Sequence, residues 1–152
     1  MAQTTAANKK QQALRRNSFA LELPKVDIKG IISVGGLGME IDTAEHQETA
    51  AGQSLITKRP VTVTYGELTM KRALTPDKSF YKWVNDVRNF KEDIRDDGAV
   101  VLYDPTMTKE AGRWEFENAW PSKWTLSDLD AGSGEFVTEE LVLQIERLVR
   151  KS

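Results

Sequence analysis

Apolar and polar residues alternate through most of this chain, and the alternation predicts a β-rich protein. Phe19, Leu21 and Leu23 alternate with Ala20 and Glu22, and Met39 and Ile41 with Glu40 and Asp42. Val61, Val63 and Tyr65 alternate with Thr62 and Thr64, and Leu68 and Met70 with Glu67, Thr69 and Lys71. Trp114 and Phe116 alternate with Arg113, Glu115 and Glu117. Successive strand side chains point to opposite faces, so each segment predicts one buried face and one wet face. The apolar parity switches at Gly66, which predicts a bulge or bend that glycine permits. Gly98 to Tyr103 (GAVVLY) is continuously apolar and predicts a strand covered on both sides.

One segment has a different period. Phe80, Trp83, Val84 and Val87 lie at i, i+3, i+4 and i+7, a single helical stripe. Thr75 before Pro76 suits a helix start and Asp77 suits its first turn, so the pattern predicts a helix from about Pro76 to Phe90. Asp96-Asp97-Gly98 then reads as an acidic turn back into a strand. The C-terminal segment fits two descriptions. Val137, Leu141, Ile145 and Leu148 suit a helix, whereas Val137, Leu141, Leu143 and Ile145 share one strand face, with Glu139 as the exception. Thr43 to Arg59 holds no clean period. It reads as a long irregular interaction loop or a disordered hairpin tip.

Composition narrows the chemistry. The chain has 152 residues, 21 Lys+Arg, 23 Asp+Glu, no cysteine and one histidine, His46. Disulfides, a cysteine nucleophile and Cys-type zinc sites are thereby excluded, and a catalytic triad would need His46 as its base. Residues 1–17 hold Lys9, Lys10, Arg15 and Arg16 and no acid, so the remainder carries 17 basic and 23 acidic residues. The pattern predicts a flexible basic arm over 1–17 and a single domain over 18–152. The arm has no interleaved aromatic for stacking on single strands, and no sequence-specific nucleic-acid binding is expected. No apolar run approaches the roughly 20 residues of a membrane span, and Met1 to Arg16 lacks the apolar stretch of a secretory leader. No membrane anchor is expected, and assembly in a cytoplasm is.

The candidate sites are weak. Gly35, Gly36 and Gly38 precede a strand pattern rather than a helix, so they read as a turn and not a phosphate cradle. His46 with Glu45 and Glu48 matches no metal-ligand spacing. Glu115 and Glu117 share the polar face of one strand and read as a solvated face rather than a carboxylate pair for glycoside hydrolysis. Trp114, Trp120 and Trp124 suit core or subunit packing better than a ligand platform. No catalytic residue, cofactor or metal is expected, and the chain is read as a non-enzyme.

Arg113 to Leu129 (RWEFENAWPSKWTLSDL) resembles a signature of the inner-tube proteins of contractile phage tails and bacterial contractile injection systems. Ser33 to Asp42 (SVGGLGMEID), Tyr65 to Leu74 (YGELTMKRAL) and Thr75 to Val87 (TPDKSFYKWVNDV) resemble further segments of that family, in order and spacing. The resemblance implies an antiparallel β-sandwich or open barrel with one packed helix, in which Glu135 to about Arg147 forms a final strand. It implies hexameric rings stacked into a hollow tube and driven through a target envelope by sheath contraction. The implied partners are further copies of the chain, a sheath protein, baseplate, spike and tape-measure proteins, and cargo in the lumen. It places Glu45, His46, Glu48, Lys58 and Arg59 on a loop between subunits or rings. Trp83, Trp114, Asn118, Trp120, Pro121, Lys123 and Trp124 become signature and packing residues, and Lys9, Lys10, Arg15 and Arg16 become arm contacts. The chain departs from the family where Arg59-Pro60-Val61-Thr62 replaces a Pro-Gly-Arg turn, and its basic start is longer. A secretion-system tube protein that chaperones effectors and a small-ligand β-barrel are the alternative readings.

Overall fold

A computed structural model describes residues 14, 16, 18–26, 28, 30–106 and 108–152. Nine strands and one helix follow in the order β1 (Phe19–Glu22), β2 (Ile31–Gly35), β3 (Met39–Ala50), β4 (Gln53–Tyr65), β5 (Leu68–Ala73), α1 (Ser79–Arg88), β6 (Asp96–Tyr103), β7 (Glu110–Leu126), β8 (Thr138–Gln144) and β9 (Arg147–Arg150) among the described residues. All pairings are antiparallel. One layer runs β1-β6-β7-β9 and the other β7-β8-β5-β2, so β7 belongs to both. The hairpin β3-β4 forms a separate sheet.

The shared strand works because it bends. Its first part pairs β6 and β9 through Trp114 and Phe116, and its second part pairs β8 from Trp120 to Leu126. Between them Asn118 has φ +54°, a left-handed conformation that asparagine tolerates better than other side-chain-bearing residues. Its N–H donates to Asp97 Oδ1 at 2.8 Å, and its side-chain amide donates to Glu146 Oε2 at 2.8 Å. That bond, and Arg95 beside it, hold the Glu146 carboxyl below its ordinary pKa. Pro121 is buried on an outer edge of the second layer, where its missing N–H costs no ladder bond.

The core lies between the layers. Leu68, Met70, Leu141 and Leu143 cluster with Val100, Phe116 and Leu148, and α1 adds Phe80 and Trp83. The stripe predicted for the helix is therefore the face it buries. Lys71, on the outer face of β5, meets Glu140 at 3.6 Å, and GAVVLY forms the heart of β6 as the apolar run predicts.

Four expectations are corrected. The helix begins at Ser79, not Pro76. Thr75 Oγ1 accepts from the N–H of Asp77 and Asp77 Oδ1 from that of Ser79, so residues 75–78 form turns that aim Asp77 at Arg72. Asp96 is not in a turn. It opens β6 almost fully buried, accepts from the N–H of Lys25 at 2.9 Å, and burial raises its pKa. The C-terminal segment is strand, but as two pieces, β8 and β9, separated at Ile145-Glu146. Thr43 to Arg59 is no irregular loop or disordered tip. It is most of a ladder closed by Ala51 and Gly52 at φ 52° and 78°, the positive angles of a tight two-residue hairpin turn.

At Gly66 the chain leaves the hairpin for β5. The Gly66 N–H donates to the Gly38 carbonyl at 3.0 Å, and a Cβ there would stand 2.6 Å from the Gly36 oxygen. A Cβ on Gly36 would stand 1.9 Å from the Glu67 oxygen. Gly36 and Gly66 thus let two backbones cross at the hairpin base. Replacing Asn118 with valine should destabilise the fold by about 1–3 kcal/mol, because a β-branched residue is strained at this φ. Asn118→Gly, which accepts the φ and loses only the side-chain bond, should cost less. Urea unfolding of both variants checks the order.

Candidate assembly surface

The hairpin is amphipathic, and the described residues leave much of its apolar face uncovered. Cross-strand partners share a face, which puts Met39 with Tyr65, Ile41 with Val63, Glu45 with Lys58 and Gln47 with Ile56 on one side. A register shift beyond Ile41 brings Val61 and Pro60 into the same region. Met39, Ile41, Val61 and Val63 are 56%, 51%, 65% and 46% exposed, although their alternation predicts a buried face. The other side carries Glu40, Ala44, His46, Glu48, Thr57 and Arg59. Among the described residues the two strands pair with each other and make no substantial contact with any other element.

The five residues expected at an assembly surface all lie on this hairpin and are exposed. Lys58 Nζ stands 3.8 Å from its cross-strand partner Glu45, and His46 Nε2 stands 3.2 Å from Glu48 two residues along the same face. Exposed pairs of this kind contribute little to stability, so they leave the charges available to a partner. Of the arm residues, Lys9, Lys10 and Arg15 lie outside the described residues, and Arg16 is exposed.

The signature residues lie in the body rather than on the hairpin. Trp83 donates its indole N–H to the Ile94 carbonyl at 2.7 Å, and the Arg150 guanidinium lies 5.3 Å from the Trp114 ring. Trp120 is half-buried opposite Gln144, and Lys123 is exposed opposite Val142. Trp124 meets the Tyr81 ring edge-on at 5.5 Å and donates to Glu139 Oε2 at 3.1 Å. Glu139 leads to a group that the sequence reading missed. Its Oε1 accepts from Arg72 Nε at 2.5 Å, and both side chains are nearly inaccessible. Arg72 also donates to Asp77 at 2.9 Å and to Ser79 Oγ at 3.0 Å, and it packs 4.0 Å from the centre of the Phe80 ring. The Ser79 backbone bond, together with Arg72, keeps the Asp77 carboxyl below its ordinary pKa. The signal was present. Arg72 follows Leu68 and Met70 at apolar parity, and Glu139 precedes Leu141 and Leu143 likewise, so each strand places one opposite charge inside.

The family model for T4-like virus tail tube protein gp19 matches residues 15–149. The chain belongs to this tail tube family. Solved structures share its fold. One described as an extracellular contractile injection system, PVC sheath/tube terminator in the extended state, is similar with a TM-score of 0.82 at 21% identity, covering 94% of this chain and 99% of that one. The PVC sheath-tube complex in its extended state gives 0.81 at 22% identity, covering 98% and 99%. Hcp1 from Flavobacterium johnsoniae gives 0.55 at 19% identity, covering 88% and 94%. No curated protein is significantly similar to the chain.

In this tail tube protein the buried Arg72–Glu139 pair locks β5, β8 and the approach to α1 into one body. Glu139→Ala would leave Arg72 buried without its nearest countercharge and should destabilise the fold by about 3–5 kcal/mol in chemical denaturation.

Proposed function

We propose that this chain is the inner-tube subunit of a contractile phage tail or a related contractile injection system. Its copies close into hexameric rings, the rings stack into a hollow tube, and sheath contraction drives that tube through a target envelope. The tube conducts cargo, and the work is mechanical, with no covalent step. Its partners are further copies of itself, the surrounding sheath protein, and the baseplate, spike and tape-measure proteins. It assembles in a bacterial cytoplasm, with residues 18–152 as the folding unit.

The observation that carries this reading is the amphipathic hairpin with an uncovered apolar face. Contiguous exposed apolar surface of this kind marks an interaction site. A family of tube proteins supplies the partner most simply as a second copy, and a head-to-tail contact that closes gives a ring. Negative-stain microscopy of the purified protein should show rings or hollow filaments. A monomer at high concentration that also fails to assemble on a baseplate would overturn the reading.

The basic arm has a separate role in this scheme. Lys9, Lys10, Arg15 and Arg16 dock on acidic surface of a neighbouring subunit or of the sheath. Exposed charges act over only about 10 Å at 0.1 M salt, so the contribution should fade as salt rises. Deleting residues 1–16 should weaken tube assembly at low salt and leave it unchanged at high salt, as read by sedimentation across a salt series.

A further inference from the structure

The hairpin needs a partner, and the body carries a second uncovered apolar surface that can supply one. Strands of 12 and 13 residues extend roughly 40 Å at 3.3 Å per residue. A two-stranded ribbon is marginally stable in water without a third strand or a packed face, and this one has neither among the described residues. The second surface is the loop between β7 and β8 with the strand ends beside it. Leu129 and Phe136 are 76% and 88% exposed, and Leu74 and Leu126 are nearly half exposed. Backbone bonds gather them. Leu74 donates to the Val137 carbonyl and Ser127 to the Thr138 carbonyl, both at 2.8 Å.

Topology puts the two surfaces at opposite ends of one sheet. The hairpin base adjoins Gly35 and Leu68, the end of β2 and the start of β5. The loop surface adjoins Ala73, Thr138 and Leu126, the far ends of β5, β8 and β7. One charge contact is available as well: Lys58 shares the face of Ile41 and Val63, beside Glu45, while residues 127–137 contain Asp128, Asp130 and Glu135 and no basic one.

We infer that β4 of one copy docks on the 127–137 loop surface of the next, with Val61 and Val63 against Leu129 and Phe136 and with Lys58 facing Asp128 and Asp130. A head-to-tail contact uses both surfaces of every copy. Pairing like with like would cover one surface and leave the other wet. The inference rests on the tube reading and names the acceptor within it.

Complementation separates the two. Ile41→Asp with Val63→Asp disables the hairpin face, and Leu129→Asp with Phe136→Asp disables the loop face. All four sites are exposed, so circular dichroism should match the wild type. By analytical ultracentrifugation each variant alone should stay a basal species, and the equimolar mixture should form a species of twice that mass. A variant that assembles like wild type alone, or a mixture no heavier than its parts, overturns the inference. A second set changes charge only. Lys58→Glu should reduce assembly at low salt, and adding Asp128→Lys with Asp130→Lys in the same chain should restore it. Failure of that rescue also overturns the inference. If wild type assembles and both tests fail, the acceptor is wrong and the tube reading stands. A wild type that never assembles removes both.

Discussion

β7 can serve two sheets because Asn118 turns it between them, and the rest of the body depends on that turn. Before the bend the strand is flanked by β6 and β9, and after it by β8. Strands carrying apolar residues on alternate faces need a second layer to cover them. A single continuous strand that changes layer sets the two sheets face to face over Phe116, Leu68 and Leu141. The asparagine does this with both its backbone and its side chain. Its N–H reaches Asp97 at the start of β6, and its amide reaches Glu146 between β8 and β9. The bend is thus tied to chain segments on either side of it.

The second organising feature is electrostatic. Arg72 and Glu139 face each other inside a core of otherwise apolar residues, with Asp77, Ser79 and Trp124 completing their hydrogen bonds. A buried ion pair is weak evidence of extra stability, since two charges must be desolvated to form it. Its consequence here is register. Sliding β5 against β8 by one residue would turn Arg72 to the wet face and leave Glu139 inside without it. The pair also explains why the helix starts late, because Asp77 is held in a turn by Arg72 rather than joining the first helical turn.

The hairpin stands apart from this body in physical terms. The layers bury their apolar faces on each other, whereas among the described residues no other element substantially covers Met39, Ile41, Val61 and Val63. The packing of the body and the covering of the hairpin are therefore separate problems.

By itself the sequence determined the local geometry. Period-two alternation marks most of the strands, and the Phe80-Trp83-Val84-Val87 stripe marks the helix, because side-chain periodicity is a property of each segment alone. Glycine likewise marks the hairpin base, whereas the bend at Asn118 showed only in the structure. Only the tertiary structure decided what lay against what. Whether Met39 and Ile41 were buried could not be read from alternation, which reports that a face is apolar and not what covers it. The tip ladder from Thr43 to Arg59 was hidden because neither of its faces meets the core, so neither carries a continuous apolar register. Arg72 and Glu139 lie 67 positions apart, and each alone looks like an irregularity in its strand. Their partnership exists only because β5 and β8 are adjacent, which long-range pairing and not local sequence decides.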